Sequence, residues 1–343
     1  MLNSARKSQI IAGFLLLFIA LLSLTGVMIG VSQISPSQAL GIILQNIGPD
    51  WLANFIEPFW RKSQAVIVIE LRAPRVILAI LAGAGLAVCG AALQAVTRNP
   101  LTDPFLLGVS SGASMGAVLV ISHVGLLIGA YTMPVFSFAG GLFSFVLLLL
   151  LIRRPENQQP ERLVLAGVAI SFLLMAVTNG LIFLGDQRAA QSIVFWMLGG
   201  LGRARWDLLT IPSVCIVLGV VMLFWQSRNL NAMMIGQESA AAMGVSVNRV
   251  RITVLLLATL VTSSIVSLTG TIGFVGLVVP HIMRSFVGGD NRILLPLCAL
   301  AGAVFILAVD IMARLLMAPQ ELPIGILTGA VGGCYFCYLL ARR

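Results

Sequence analysis

Few residues in this 343-residue chain have the types and spacing that catalysis or metal binding requires. Cys334 and Cys337 form a C-x-x-C pair, while His123 and His281 each stand alone. A structural zinc site needs about four such ligands, and the sequence offers no second ligand pair. The 12 acidic residues are scattered, with no D-x-x-x-D or H-E-x-x-H pattern. The sequence therefore predicts no catalytic residue, no metal site and no bound cofactor.

Nucleotide binding through a P-loop of this chain is also excluded. The sequence contains no G-x-x-x-x-G-K-[ST] loop, and its only lysines are Lys7 and Lys62. A P-loop holds phosphates with backbone amides and a lysine. If ATP drives this protein, a partner subunit must bind the nucleotide.

Three arginines are better placed for chemistry, namely recognition of carboxylates. Arg72 and Arg75 lie three residues apart and share a face if the chain is helical there. Arg314 lies at the end of a distant apolar run. A guanidinium group suits bidentate contact with a carboxylate. Two alternatives remain open: all three can be membrane-edge anchors, and Arg314 can pair with Asp310 at i, i+4.

The elements that position these residues are predicted to be membrane helices. The chain is 59% hydrophobic and only 10% charged, whereas a soluble domain has about 25% charged residues. A spanning helix needs roughly 20 apolar residues, and several uncharged runs reach that length. We expect an all-α, polytopic membrane protein with a single domain over residues 1–343.

About ten transmembrane helices are predicted. Residues 35–63 read as a loop that contains an interfacial helix opened by Ser35 and Pro36. Residues 189–202 are too short to span and should return to the same face. The run 252–283 is too long for one helix, so the segment "LTGTIGF" at 268–274 is predicted to divide it into two spans. The remaining predicted spans are 10–31, 76–96, 105–122, 133–152, 163–185, 208–227, 293–309 and 322–341.

The distribution of basic residues predicts the orientation. With the N-terminus inside, thirteen of the 21 Lys and Arg residues fall on the cytoplasmic side. This bias favours cytoplasmic N- and C-termini, and it explains the net charge of +9 without a nucleic-acid partner.

Small residues recur at helix-packing spacing in two of the spans. Such faces allow backbones to approach closely where lipid provides no hydrophobic driving force. The sequence therefore predicts tight helix contacts at two series, Gly83, Ala87, Ala91 and Ala95, and Gly325, Gly329 and Gly333.

A short segment between two spans, "NAMMIGQESAAAMGVSVNRVR" at 231–251, predicts a small cytoplasmic helix. Gly236 and Gly244 should bound about two turns, with Gly244 as the C-terminal cap. Ser246 is then expected to cap a second short helix. A small helix with little charge suits the groove of a partner protein. The alternative is a connector that lies on lipid headgroups.

An ordered set of motifs from about residue 70 to residue 341 resembles the permease subunits of ABC importers for iron-siderophores, haem and cobalamin. The segment at 231–251 resembles their coupling pattern, L-G-x-x-x-A-x-x-x-G. Ile235, Gly236, Ala240 and Gly244 match it. The other matching motifs are "LRAPR", "NPLTDPFLLGVSSGA", "RLVLAGVAI", "GFVGLVVPHIMR", "LPLCALAGAVFILAVDIMAR" and "ELPIG".

The resemblance implies a ten-helix subunit in the bacterial inner membrane, surrounded by lipid. A second permease copy, as a homodimer or a homologous permease, would complete the pathway. Two separate ATP-binding subunits would lie below it, and a periplasmic or lipid-anchored substrate-binding protein above it.

The resemblance also implies roles for individual residues. Small hydroxyl residues form a second inner gate in the family, and Pro160 and Glu161 replace them here, which departs from that side-chain seal. The implied sites are ATPase coupling at Gly236, Ala240, Met243 and Gly244, binding-protein docking at Arg72, Arg75 and Arg314, and a cytoplasmic gate at Asn99, Leu101, Pro160 and Glu161.

A ferric siderophore is the expected cargo, with haem, cobalamin or an oxyanion as alternatives within the same importer type. A secondary transporter would show charged or broken sites at the membrane midplane, whereas nearly every charge here lies near a span end. A membrane-embedded enzyme would need clustered reactive groups.

Overall fold

The computed structural model describes residues 4–30, 32, 34–49, 58–153 and 159–342. Within these residues the chain forms fourteen helices and no strand. The helices are α1 (Ser4–Met28), α2 (Pro36–Ile47), α3 (Lys62–Thr97), α4 (Val109–Val124), α5 (Thr132–Leu151), α6 (Pro160–Leu184), α7 (Ala190–Met197), α8 (Trp206–Trp225), α9 (Ser227–Ile235), α10 (Gln237–Ala242), α11 (Val247–Thr269), α12 (Val275–Val287), α13 (Asn291–Leu315) and α14 (Ile324–Ala341).

The lengths of these helices confirm the prediction of an all-α polytopic membrane protein. In the described part of the chain, eight helices are long and apolar enough to cross a membrane. The shorter apolar helices α4 and α12 occupy the other two predicted positions. Helix α7 has only 8 residues and lies between the ends of α6 and α8, so the segment after residue 188 returns to the face from which it came.

Two ends of the bundle are distinguished by their connecting segments. We call the end with residues 226–246 the lower end and the end with residues 316–323 the upper end. The first residues of α13 bond to α9 at the lower end, where Asn231 Nδ2 donates to Asp290 Oδ1 over 2.7 Å. The other end of α13 reaches the C-terminus of α1, where Arg314 contacts the carbonyl of Gly26. The start of α1 and the end of α14 therefore lie toward the lower end.

Helix α3 lies at the centre of the bundle, and its small residues explain how. Ala87, Ala91 and Ala95 are at most 1% exposed. A Cβ added at Gly83 would overlap the backbone carbonyl of Gly302 on α13. The absence of a side chain at this crossing lets the two backbones touch, as the series from Gly83 to Ala95 predicted.

The second predicted series behaves differently along its length. Gly325 packs under the carbonyl of Leu198, whereas Gly329 and Gly333 have no atom within 4 Å of the position that a Cβ would take. Only the first glycine of this series therefore makes a tight contact within the described chain.

The break predicted at 268–274 is present and separates α11 from α12. Gly270 and Phe274 both adopt positive φ, 67° and 68°, which ends one helix and starts the next. Pro280 inside α12 has no N–H for the carbonyl of Gly276. The side-chain amide of Gln94 on α3 donates to that carbonyl instead, over 3.0 Å, so the helix break and α3 are joined through a buried polar contact.

Helix α2 forms where Ser35 and Pro36 predicted it. The Ser35 hydroxyl accepts from the Gln38 N–H, and the Gln38 side chain accepts from the Ser35 N–H, which is a capping box. Part of the predicted loop, residues 50–57, lies outside the described residues.

Two predictions at helix starts were wrong. The second span was expected to begin at 76, but α3 begins at Lys62 and passes through Pro74. Residues Ile67–Arg72 form wider π-type turns, in which the Ala73 N–H bonds to the carbonyl of Val68, five residues earlier. This wider turn lets the helix continue through Pro74, which has no N–H to donate. The second short helix after Ser246 is instead the start of the long helix α11, and the Ser246 side chain makes no capping bond.

The contact at Gly83 predicts opposite effects for two Gly→Ala changes. Gly83→Ala should lower the melting temperature of the purified protein, because the backbone of Gly302 cannot move aside and overpacking costs about 1–3 kcal/mol. Gly180→Ala is the matched control, since it is also helical and has open space around it. Because alanine is favoured over glycine in helices by about 1 kcal/mol, Gly180→Ala should raise the melting temperature. Equal shifts in the two variants, measured by thermal unfolding, would contradict the proposed close approach.

Candidate functional site

The two glycines at 236 and 244 shape the lower end as the sequence predicted. Gly236 has φ 149° and Gly244 has φ 83°, values that favour glycine. The six-residue helix α10 lies between them. At its end the Val245 N–H bonds to the Ala240 carbonyl, which satisfies a free carbonyl of the last turn.

The side chains of α10 and its flanks point in two directions. Ala240 is fully buried, at 0% exposed, whereas Met243 is 55% exposed. Met234 and Ile235, just before Gly236, are 38% and 69% exposed. We call Met234, Ile235 and Met243 the lower apolar surface. The methyl group of Ala240 packs into the chain and positions α10, and the part of Ala240 in ATPase coupling stays a prediction.

A polar junction that the sequence reasoning missed holds α9 against α13. The amide oxygen of Asn231 accepts from the backbone N–H of Asn291 over 2.8 Å, and its nitrogen donates to Asp290. Hydrogen bonds from Arg292 and from Asn231 hold the pKa of Asp290 well below its usual range. These bonds join α9 directly to the start of α13.

The loop after α3 presents a leucine at the lower end. Arg98 ends α3 in the left-handed region, at φ 50°, as expected for a helix stopped before Pro100. The Asn99 side chain accepts from the Leu101 N–H over 2.9 Å, which fixes a tight turn. Leu101 is 56% exposed and is free to meet another surface.

The second pair of predicted gate residues lies at the start of α6. Pro160 begins this helix, and its side chain is outside the described part of the chain. Glu161 is exposed in the first turn, where a carboxylate is favoured by the helix dipole. Among the described residues, no hydrogen bond or ion pair joins Asn99 or Leu101 to Glu161.

A cavity of about 340 Å³ lies beside the break between α11 and α12. Among the described residues, Asp103 is the only acidic one in its wall, and it is 4% exposed. One carboxylate oxygen accepts from the Phe105 N–H over 2.8 Å, and burial raises the pKa of Asp103 to about 6. The sequence analysis did not single out Asp103, although it is the sole charged side chain between Arg98 and Arg153. The rest of the wall is Phe105, Leu106, Met197, Leu198, Thr271, Gly273, Phe274, Leu277, Gly325, Ile326 and Gly329.

The three predicted docking arginines come together at the upper end around one buried carboxylate. Arg75 Nη2 lies 2.9 Å from Asp310 Oδ1, and Arg314 Nη2 lies 2.7 Å from Asp310 Oδ2. Arg75 Nη1 also bonds to Glu321 over 2.8 Å. The i, i+4 pair between Asp310 and Arg314 is therefore present, and the part of α3 around Arg75 lies beside the end of α13.

Two of these guanidinium groups also cap the C-terminus of α1 by donating to its last carbonyls. Arg72 donates to the carbonyls of Val27 and Met28, each over 2.8 Å. Arg314 donates to the carbonyls of Gly26 and Ile29, over 2.7 and 2.9 Å. These carbonyls have no partner within the helix, so cations satisfy them and complement the helix dipole.

This arrangement differs from an exposed basic patch. Arg72, Arg75 and Arg314 are only 6–9% exposed, because the end of α1 and the loop before α14 lie over them. Their internal bonds are shown, while the docking role remains a prediction. Of the acidic partners, only Glu321 is substantially exposed, at 47%.

The architecture just described matches known transport proteins over nearly its whole length. The chain is 35% identical to the hemin transport system permease protein HmuU of Yersinia pestis, covering 100% of this chain and 98% of that protein. It is 37% identical to the Fe(3+) dicitrate transport system permease protein FecD of Escherichia coli, over 80% and 85% of the two chains. It is 36% identical to the vitamin B12 import system permease protein BtuC of Vibrio cholerae, over 87% and 88%.

A solved structure and a family match agree with these relatives. An inward-facing metal-chelate type ABC transporter superposes with a TM-score of 0.83 at 29% identity and covers 98% of this chain and 99% of its own. The FecCD transport family matches residues 15–342. The resemblance drawn from the sequence motifs is thereby confirmed, and the chain belongs to the FecCD transport family as a permease of the ABC importer type.

Proposed function

We propose that this permease carries a ferric siderophore, or a related metal chelate, across the bacterial inner membrane. Support comes from the relatives named for hemin and Fe(3+) dicitrate and from the metal-chelate type neighbour. The relatives named for vitamin B12 make cobalamin the main alternative, beside haem.

The wall of the cavity beside the helix break supports a chelate over an oxyanion. Among the described residues that line it, Asp103 carries the one carboxylate and none is basic. An anion placed against a carboxylate in an apolar wall has no partner to offset its desolvation. A bulky chelate with apolar surface or hydrogen-bond donors fits these groups better.

The lower apolar surface is the observation that supports an ATP-driven mechanism most directly. Met234, Ile235 and Met243 are exposed on a short helical segment that the buried Ala240 fixes to the bundle. The chain has no P-loop of its own. In our proposal two separate ATP-binding subunits dock here on the cytoplasmic side, where the N- and C-termini also lie. The junction at Asn231 then carries their movement to α13 as a rigid-body switch.

A second copy of the permease, or a homologous permease, completes the pathway in this proposal. The open face of α14 at Gly329 and Gly333 supports a partner helix there, because the glycines leave space that this chain does not fill. Leu101, projecting beyond the turn held by Asn99, supplies the cytoplasmic gate where the two copies meet. At the second gate position, Glu161 is an exposed charge and provides no small hydroxyl seal.

At the upper end we place the docking of a periplasmic or lipid-anchored binding protein. The cluster of Arg72, Arg75 and Arg314 supplies the positive charge for acidic residues of that protein. Guanidinium groups that are already held in place lose little freedom on binding a carboxylate. Lipid surrounds the remaining exposed apolar faces.

The coupling assignment predicts that a charge at position 243 separates the permease from its ATPase. Met243→Asp should abolish co-purification of the ATP-binding subunits, because an unpaired carboxylate would be buried at the contact. Met317→Asp is the matched control, with a methionine of equal exposure, 54%, at the opposite end. Ala240 is a poor probe, since its substitution disturbs internal packing. Intact co-purification with Met243→Asp would remove the coupling role from this surface.

The gate assignment predicts contact between two copies at position 101. In a background without the five native cysteines, Leu101→Cys should form a disulfide between copies in nucleotide-free membranes, because the gate halves meet there. Leu150→Cys is the control, a leucine of similar exposure, 53%, at the lower end of α5. Denaturing gels with an oxidant measure the dimer. No cross-link at 101 in any nucleotide state, or an equal one at 150, would place the gate elsewhere.

The cargo assignment predicts selective uptake by the assembled importer. Proteoliposomes with the binding protein and ATP-binding subunits should accumulate iron presented as a ferric siderophore and should exclude molybdate, since the cavity wall lacks a cation. Radiolabelled iron, cobalamin and molybdate give the three rates. Proteoliposomes made with the Met243→Asp permease, which should not hold the ATP-binding subunits, should take up none of them and serve as the control for leakage. Accumulation of cobalamin alone would overturn the siderophore proposal and leave the importer class intact.

A further inference from the structure

The upper arginine cluster carries more positive than negative charge. In the described part of the chain it contains Arg72, Arg75 and Arg314 against Asp310 and Glu321. Arg72 bonds to backbone carbonyls and not to a carboxylate. The cluster can therefore accept one further carboxylate without excess negative charge.

The two carboxylates of the cluster differ in their exposure and in the number of arginines that they contact. Asp310 is 1% exposed and is shared by Arg75 and Arg314. Glu321 is 47% exposed, and its hydrogen bonds go to the single nitrogen Nη1 of Arg75, over 3.0 and 2.8 Å. Ion pairs open to solvent are individually weak, whereas buried ones are costly to break. Glu321 is the carboxylate that can leave.

Departure of Glu321 would uncover a prepared binding group. Arg75 Nε and Nη2 each lie 2.9 Å from Asp310 Oδ1 and make no use of Glu321, so we expect them to hold the guanidinium plane when Glu321 departs. Nη1, which bonds to Glu321, would then lose its acceptors. A fixed donor of this kind recognises an incoming carboxylate at low entropic cost.

Glu321 also belongs to a segment that reaches the cavity. The loop 316–323 is tied to α13 by the Leu322 N–H, which bonds to the Ala313 carbonyl over 3.0 Å. Directly after it, the Gly325 N–H bonds to the Leu198 carbonyl, also over 3.0 Å. Leu198 and Gly325 both line the cavity beside the helix break. Glu321 therefore lies on a segment that ends in the cavity wall.

We propose that Glu321 occupies the place on Arg75 that an acidic side chain of a docking protein takes, so that docking and release of Glu321 are a single exchange of carboxylates. This inference rests on the proposed docking of a binding protein at the upper end. It adds that, before docking, Glu321 of the permease binds Arg75 in place of the partner's carboxylate. The exchange then frees the loop 316–323, which leads to the cavity.

The exchange has a signature that simple docking lacks, because removing the Glu321 carboxylate should strengthen binding. Glu321→Gln in the complete importer, held in nanodiscs, should lower the Kd of the importer's binding protein by about two- to fivefold, as expected for loss of a half-exposed ion pair. Glu321→Asp, too short to reach Arg75, should act in the same direction. Asp207→Asn is the matched control, an upper-end carboxylate that is 39% exposed and paired with Arg205, and should leave the Kd unchanged.

The Arg75→Gln variant tests docking of the binding protein separately from the exchange of carboxylates. If it raises the Kd more than about tenfold while Glu321→Gln lowers it, both docking and exchange stand. If Arg75→Gln weakens binding and Glu321→Gln leaves the Kd unchanged or raises it, docking stands and the exchange is overturned. If neither variant changes the Kd, docking at Arg75 fails and the exchange fails with it.

A second measurement reads the loop directly and needs no variant. Amide hydrogen exchange of residues 316–325 in the wild-type importer should become faster when the binding protein docks, because Glu321 is released. Unchanged or slower exchange across this segment on docking would overturn the release of Glu321. Thermal unfolding of each variant confirms that differences in Kd are not caused by loss of the fold.

Discussion

The carboxylate of Asp310 is the interaction on which the upper half of this protein depends. It lies at 1% exposure between two guanidinium groups, one from α3 and one from α13. A buried charge of this kind is tolerated only when its partners are complete. The same arginine that pairs with it on α13 caps the carbonyls at the end of α1. One carboxylate thus sets the positions of three helices and of the loop that carries Glu321.

The bilayer imposes a second constraint, because backbone groups in a membrane must find partners within the protein. The chain meets it where a helix is interrupted. Pro280 removes one donor from α12, and the amide of Gln94 replaces it. At the end of α11, just before the break, the Thr269 carbonyl accepts from the Gly200 N–H over 2.7 Å. Irregular backbone beside the cavity thus has hydrogen-bond partners within the protein, so a helix break can form part of the cavity wall.

The sequence predicted those features that depend on local pattern. Apolar run length indicated the spans, and Gly236 and Gly244 indicated α10, because only glycine readily adopts their backbone angles. Features set by tertiary packing could not be read. A six-residue helix does not reveal which side is buried, so Ala240 and Met243 were grouped together although their exposures are 0% and 55%. Nor does local pattern reveal that Arg75 meets a carboxylate 235 positions away.

The wall of the cavity beside the helix break has a consequence for how such transporters diversify. Its frame is made by backbone hydrogen bonds, such as that from Gly325 to Leu198. Bonds of this kind do not depend on side-chain identity, whereas the lining at Met197 and Ile326 does. Natural selection can therefore exchange the lining residues for a new cargo while the scaffold keeps its geometry. A common architecture with divergent cargoes follows from this separation between frame and lining.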